Sequence, residues 1–239
     1  MDYSTPFGII ALAALIHASF QLGVSMMTLL SGHSLSKQRS GRRILGLIAC
    51  FFCGAVVMTL LIVSLLAYII THVWAQDLPS QVWTVAASLL LGLGVIVWAV
   101  YYRPRKVGTE LWLPRSMARF LHDRTKATHD GAEAFSLGLT SVLAEFLFVL
   151  PPSFAAALAI TSLPSAWQLP GLALYALIAS LGLGLVVVLV GSGHHISTIQ
   201  RWRETHKGFL QFAAGGGLIV LGFFIYVTYA VVPSMLVVN

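Results

Sequence analysis

Glu145 is the one carboxylate in FSLGLTSVLAEFLFVLPPSFAAALAI, residues 135–160, a run without lysine or arginine. The run is longer than the roughly 20 apolar residues that cross a bilayer. On a straight helix Glu145 would lie about 15 Å in, near the middle of a hydrocarbon core about 30 Å thick. A charge at that depth costs roughly 2.5–3.5 kcal/mol on insertion scales, so the group must be neutral, paired or facing a wet cavity. Intramembrane ionisable groups default to function, which makes Glu145 a candidate substrate or coupling carboxylate. The bland alternative is a protonated acid in a helix–helix hydrogen bond. Pro151-Pro152 follow it. Two missing N–H donors and two clashes with the preceding turn predict a kink or break there. A broken helix beside a mid-membrane carboxylate can build a solute site; a packing kink is the plainer reading.

Other polar residues join Glu145 as candidates. His17 and Gln21 are four apart in the apolar run 7–30 and share a helix face. His17 is a candidate ligand or proton relay, against a satisfied interhelical hydrogen bond. Cys50 and Cys53 stand as C-x-x-C inside the run 44–71. Beside a βαβ pattern that spacing suggests redox chemistry; inside an apolar helix, inert packing thiols are favoured. His194-His195, with His33 and His206, would fall at one side of a membrane, where loop histidines are usually solvated. No metal is assigned.

The elements that must position these residues follow from composition. Hydrophobic residues make up 58% of 239 and charged ones 9%, with mean hydropathy +0.87. Soluble domains carry about 25% charged residues, so the chain reads as an all-α polytopic membrane protein. Six spans are expected, at about 7–30, 44–71, 80–102, 135–160, 169–192 and 208–236. The first lacks a basic n-region and a cleavage site, so it is read as a span and not a removed signal. All 14 lysines and arginines fall in 31–43, 103–134 and 193–207, which lie on one side of a six-span arrangement. That side is cytoplasmic by the positive-inside rule, leaving both termini outside a plasma membrane. The net charge of +6 is then a topology signal, not evidence of nucleic-acid binding. The linker 103–134 carries Met117, Phe120 and Leu121 at helical spacing among arginines, a short amphipathic surface helix. Asp130 and Glu133 have the spacing of an N-cap pair opening the fourth span.

The chain also repeats itself. Leu47-Ile48-Ala49-Cys50 and Gly54-Ala55-Val56-Val57 match Leu177-Ile178-Ala179-Ser180 and Gly184-Leu185-Val186-Val187 at six of eight positions, at a shift of 130 residues. Gly94-Val95-Ile96-Val97 matches Gly217-Leu218-Ile219-Val220 at 123, and a shift of 124 sets Gln21 on Glu145 and His17 on Ser141. Three spans per unit is odd, so the second unit, 135–239, enters the membrane inverted relative to the first, 1–102. Inverted repeats meeting at the midplane are a transporter architecture.

This 3+3 pattern, with a proline-interrupted fourth span and a basic turn running into a Gly-rich sixth (Arg201 to Gly222), resembles the LysE superfamily. That grouping includes amino-acid and metal-ion exporters and the DsbD and CcdA thiol-electron carriers. The thiol carriers have Pro-Cys in the first span of each repeat; here Gln21-Leu22-Gly23-Val24 and Val149-Leu150-Pro151-Pro152 have no cysteine. The nickel/cobalt branch has a histidine followed by an Asp-His pair, which His17 lacks.

The expectation is thus a secondary transporter, an exporter of a small solute or cation. Glu145 would carry coupling or substrate, with His17, Gln21 and Ser141 as polar partners and Pro151-Pro152 as the helix break. Its partners are the lipid bilayer, the solute, and a second copy or another membrane protein. No cofactor, nucleic acid or enzymatic chemistry is implied. The alternatives are a thiol-electron carrier using Cys50 and Cys53, and a non-transporting scaffold in which the polar residues only pack.

Overall fold

The computed structural model describes residues 3–20, 24–27, 30, 41–74, 78–101, 123–125, 127–192 and 196–232, with backbone alone at 100–101, 196–204, 207 and 211. Gln21, His33, His194, His195 and the amphipathic segment expected within 103–134 lie outside the described residues. The described chain is helical, without strands. Its helices are α1 Ser4–Ser19, α2 Gly41–Trp74, α3 Ser80–Ile96, α4 Gly131–Ala144, α5 Phe146–Thr161, α6 Ser165–Ala179, α7 Leu181–Gly191 and α8 Ile196–Tyr226. Short π-helical turns, Val97–Tyr101 and Val227–Val231, continue α3 and α8.

Three helical stretches are long and apolar enough to cross a membrane: Gly41–Trp74, Ser80–Ala99 and Gly208–Val231. The count rises to five if each of two bent pairs, α4 with α5 and α6 with α7, forms one span. The surface fits a lipid solvent. On α2, Val57, Leu61, Leu65 and Tyr68 recur at helical spacing and are all exposed, an apolar stripe that water would penalise and hydrocarbon would not.

Two of the expected spans are bent. The 135–160 run is α4 and α5, meeting at 80°, and the 169–192 run is α6 and α7, meeting at 55°. The break expected at Pro151-Pro152 lies instead at Glu145, and α5 runs through both prolines. A proline ring presses on the carbonyl one turn earlier and leaves it without its N–H partner. For this pair those carbonyls belong to Leu147 and Phe148, so the weak turn is the one just after Glu145. The first helix also stops early. α1 ends at Ser19 and Phe20 is extended, at φ −88° and ψ 97°, so the 7–30 run is not one uninterrupted helix.

Local signals place α4 firmly. Asp130 is extended and accepts from the Glu133 N–H at 2.9 Å, while Glu133 reaches back to the His129 N–H at 2.6 Å. Both bonds satisfy donors that a helix start would otherwise leave open.

Packing is organised around α5. Ala155-Ala156-Ala157-Leu158-Ala159-Ile160 are buried in every direction, and α5 touches α1, α2, α3 and α6. Alanine lets several helices crowd one axis, as small residues do where lipid supplies no hydrophobic drive. The closest crossing is α2 against α4: a Cβ on Gly54 would overlap the Phe135 carbonyl, and one on Gly138 the Phe51 carbonyl. α3 pairs with α8, where Trp83 stacks on Tyr229 at 3.8 Å and Trp98 stacks on Phe212.

Candidate functional site

Three helix ends converge on one place. The end of α1 at Phe20, the α4–α5 bend at Glu145 and the α6–α7 bend at Ser180 border a narrow crevice of about 30 Å³. α2 closes its remaining side with Ala55, Val56 and Thr59.

The serines explain how chain ends can stand here. The last carbonyls of a helix lack intrahelical donors and need other partners. Ser19 Oγ donates to the Ile16 carbonyl at 2.6 Å, Ser141 Oγ to Gly138 at 2.7 Å, and Ser180 Oγ to Leu177 at 3.1 Å. Each bond reaches three residues back; those of Ser19 and Ser180 reach terminal carbonyls of α1 and α6, while the Gly138 carbonyl lies before the last turn of α4. Glu145 itself is shared between two helices. Its N–H donates to the Val142 carbonyl at 3.2 Å, and its own carbonyl accepts from Phe148 at 2.8 Å and Val149 at 3.0 Å. Phe20 stacks on Phe148 at 5.3 Å, tying the end of α1 to the first turn of α5.

Of the residues expected at a site, the crevice brings His17, Ser141 and Glu145 together. Gln21 lies outside the described residues. Pro151 and Pro152 are buried within α5. Cys50 is half-buried and Cys53 exposed, both as free thiols on the continuous α2. Neither lines the crevice. Among the described residues no group of three or more His, Cys, Asp or Glu is placed to hold a metal ion.

His17 joins the crevice to the interior. Its Nδ1 lies 2.9 Å from the Tyr175 hydroxyl, which lies 3.0 Å from Ser153 Oγ. All three residues are buried. The chain links α1, α6 and α5. A buried network of this kind rigidifies when every member is satisfied. Among the described residues no buried side-chain nitrogen or oxygen lacks a partner.

Sequence reasoning missed Tyr175, Ser153, Thr59 and Ser180. Ser180 had a signal, as the polar residue that stands at the position of Cys50 in the repeat. Tyr175 is the lone phenol of its apolar run. Ser153 and Thr59 have no marker that distinguishes them from packing hydroxyls.

No family model matches the chain, and no curated protein or solved structure matches it.

Proposed function

We propose that the chain is a secondary transporter of a small solute or cation, in the mould of the LysE superfamily. The crevice is its site and Glu145 its substrate or coupling carboxylate. The observation that carries the reading is the meeting of three helix interruptions around one carboxylate, His17 and Ser141. Discontinuous helices at a repeat interface are how such proteins expose backbone and side-chain groups to solute inside a membrane. Gln21 remains a proposed partner on the strength of its alignment with Glu145.

The helix packing supports a pseudo-two-fold arrangement of two three-span units. Exchanging α1 with α4–α5, α2 with α6–α7 and α3 with α8 carries one set of neighbours into another. The α1–α8 contact goes to α5–α3 and the α2–α5 contact to α6–α1, while α1–α5 and α3–α8 map onto themselves. In this reading six spans cross a plasma membrane, the basic segments are cytoplasmic and both termini are outside. Cysteines introduced at Ser80 and Ser165, with Cys50 and Cys53 removed, then react with impermeant maleimide in intact cells, and one at Ser40 does not. Labelling at Ser40 alone reverses the orientation.

The deciding experiment is flux. Vesicles containing the purified full chain are loaded in turn with labelled amines, amino acids and alkali ions, and efflux is followed against empty vesicles. The wild type moves at least one class, and Glu145→Gln, inserted and folded normally, does not. Unchanged flux in Glu145→Gln removes Glu145 from the mechanism. No flux of any class above empty vesicles leaves the scaffold reading ahead.

A further inference from the structure

The size of the crevice and the groups around it narrow what fills it. This inference rests on the crevice being the coupling site proposed above. A space of about 30 Å³ has room for about two water molecules. A buried water also needs polar partners, and the lining supplies them. Ser141 and Ser180 spend their hydroxyl protons on their own helices, at 2.7 and 3.1 Å, and keep lone pairs. Thr59 is buried and lines the crevice, and no hydrogen bond joins its hydroxyl to another described residue. Its proton is available to a water. Among the described lining residues only His17, from α1, and Glu145, from the α4–α5 bend, titrate. α2 contributes Ala55, Val56 and Thr59 and α7 contributes Leu183, none of them ionisable. α6 brings Tyr175 against His17 Nδ1 at 2.9 Å, and α5 brings Ser153 against Tyr175 at 3.0 Å. α8 meets α1 where Gly217 lies against Ile16, in a run, 208–225, without a charged or titratable residue.

We propose that the crevice is a hydrated proton site, in which water bridges the Glu145 carboxyl and the His17 ring and a proton passes between them. The ring gives its Nδ1–H to Tyr175, and Tyr175 gives its O–H to Ser153. Nε2, the nitrogen that Tyr175 does not hold, is then the basic one. Glu145, as the acid, gives its proton to the bridging water while that water gives one of its own to Nε2. A carboxylate and an imidazolium result, and the reverse step restores the neutral pair. The two charges appear and vanish together, which spares the membrane interior a lone charge. The bridge takes one of about four lone-pair sites on the carboxylate, so it leaves room for the other interactions of Glu145. Tyr175 is a positioning residue that lets the ring gain and lose the Nε2 proton without turning. The coupling ion of the proposed transporter is accordingly a proton.

The test is infrared difference spectroscopy of the full-length protein in lipid nanodiscs. The titration runs from about pH 4 to about pH 9, which brackets the ordinary carboxyl and imidazole values. A protonated-carboxyl band that Glu145→Gln removes responds to pH and shifts in heavy water. His17→Gln keeps a hydrogen-bonding group without a basic nitrogen. The response of the band then moves by at least about one pH unit, because coupled groups titrate as a pair. Tyr175→Phe moves it by about half a unit, a change that a merely structural phenol would not produce. Where Glu145→Gln fails to elute as the wild type does, Glu145→Asp makes the assignment, since it displaces the band instead of removing it. A band indifferent to pH, a band that heavy water does not shift, or an unmoved response in His17→Gln or Tyr175→Phe overturns the inference. A titrating band in a protein that moves no solute overturns transport and leaves the proton site standing. Solute flux with no titrating band, and indifferent to an imposed pH gradient, does the reverse.

Discussion

The stretches 47–57 and 177–187 share six of eleven residues and fold differently. In α2 the phrase lies within one unbroken helix of 34 residues; in α6–α7 it bends by 55° at Ser180. Identical residues meet different surroundings as a result. Leu47 is 4% exposed and its counterpart Leu177 is 68% exposed. Gly54 is pressed against the Phe135 carbonyl, whereas a Cβ on Gly184 would meet only a Phe52 ring carbon at an ordinary 3.7 Å. Similar sequence secures similar helices, and it leaves their burial to whatever packs beside them. The copy that carries a hydroxyl at its centre is the one that bends, and the bend opens onto the crevice.

The largest expected effect comes from making the two glycines alike. Gly54→Ala, or Gly138→Ala on the facing helix, forces two backbones apart and destabilises by about 1–3 kcal/mol, as overpacking of a tight contact does. Gly184→Ala has room and costs no more than a few tenths, offset by the better helix propensity of alanine. Unfolding free energies from SDS titration of mixed micelles measure all three. Equal losses at Gly54 and Gly184 would mean that the two copies are packed alike after all.

Helical class, the apolar runs and the α4 cap were legible because each depends on neighbours in sequence. Asp130 and Glu133 are three apart and meet across one turn, so their spacing sufficed. The bends were only half legible. Pro151-Pro152 announced a fault, but proline acts on the turn before it, and the chain gives way at Glu145. Ser180 stood out only as the mismatch to Cys50 in the repeat, which gave no reason to expect a bend, because a serine in an apolar helix usually does no more than bond the preceding turn. The triad of His17, Tyr175 and Ser153 was out of reach from sequence. His17 and Tyr175 are 158 positions apart, and helix periodicity says which face a residue shares, not which distant helix meets it.

A second experiment addresses what holds α6 in place. Tyr175 has Leu45 as its counterpart at the 130-residue shift, so α2 has no equivalent of the bond to His17. Tyr175→Phe keeps the ring and leaves His17 and Ser153 each short of a buried partner, a loss of about 1–3 kcal/mol. Ser153→Ala removes one end of the chain and costs less. If Tyr175→Phe is neutral in the same SDS titration, α6 is held by apolar packing alone.

The bend itself is tested by a smaller change. Ser180→Ala removes a bond with a net worth of about 0.5–1.5 kcal/mol and with it a reason for α6 and α7 to diverge, since back-bonded serines bend helices. Spin labels at the exposed Leu169 and Val188 flank the bend. Their separation lengthens in Ser180→Ala if the hydroxyl maintains the angle. An unchanged distance assigns the angle to packing around Gly182 and Gly184.

The smallest effect is expected at the other half of the comparison, the cysteines of α2. Cys50 holds the position of Ser180, yet the helix runs straight through it. Its sulfur lies beside Gly131, where an added Cβ would come within 3.0 Å. Cys53, one turn on, is exposed on the flank of a long helix away from the crevice. Replacing both with alanine therefore leaves flux at the wild-type level, and it changes stability by less than about 1 kcal/mol, since one small side chain replaces another of similar shape. Loss of activity with normal insertion, accompanied by a trapped mixed disulfide between Cys53 and a partner protein, would reverse the assignment. α2 would then be the working copy of the repeat, and the bent copy its structural support.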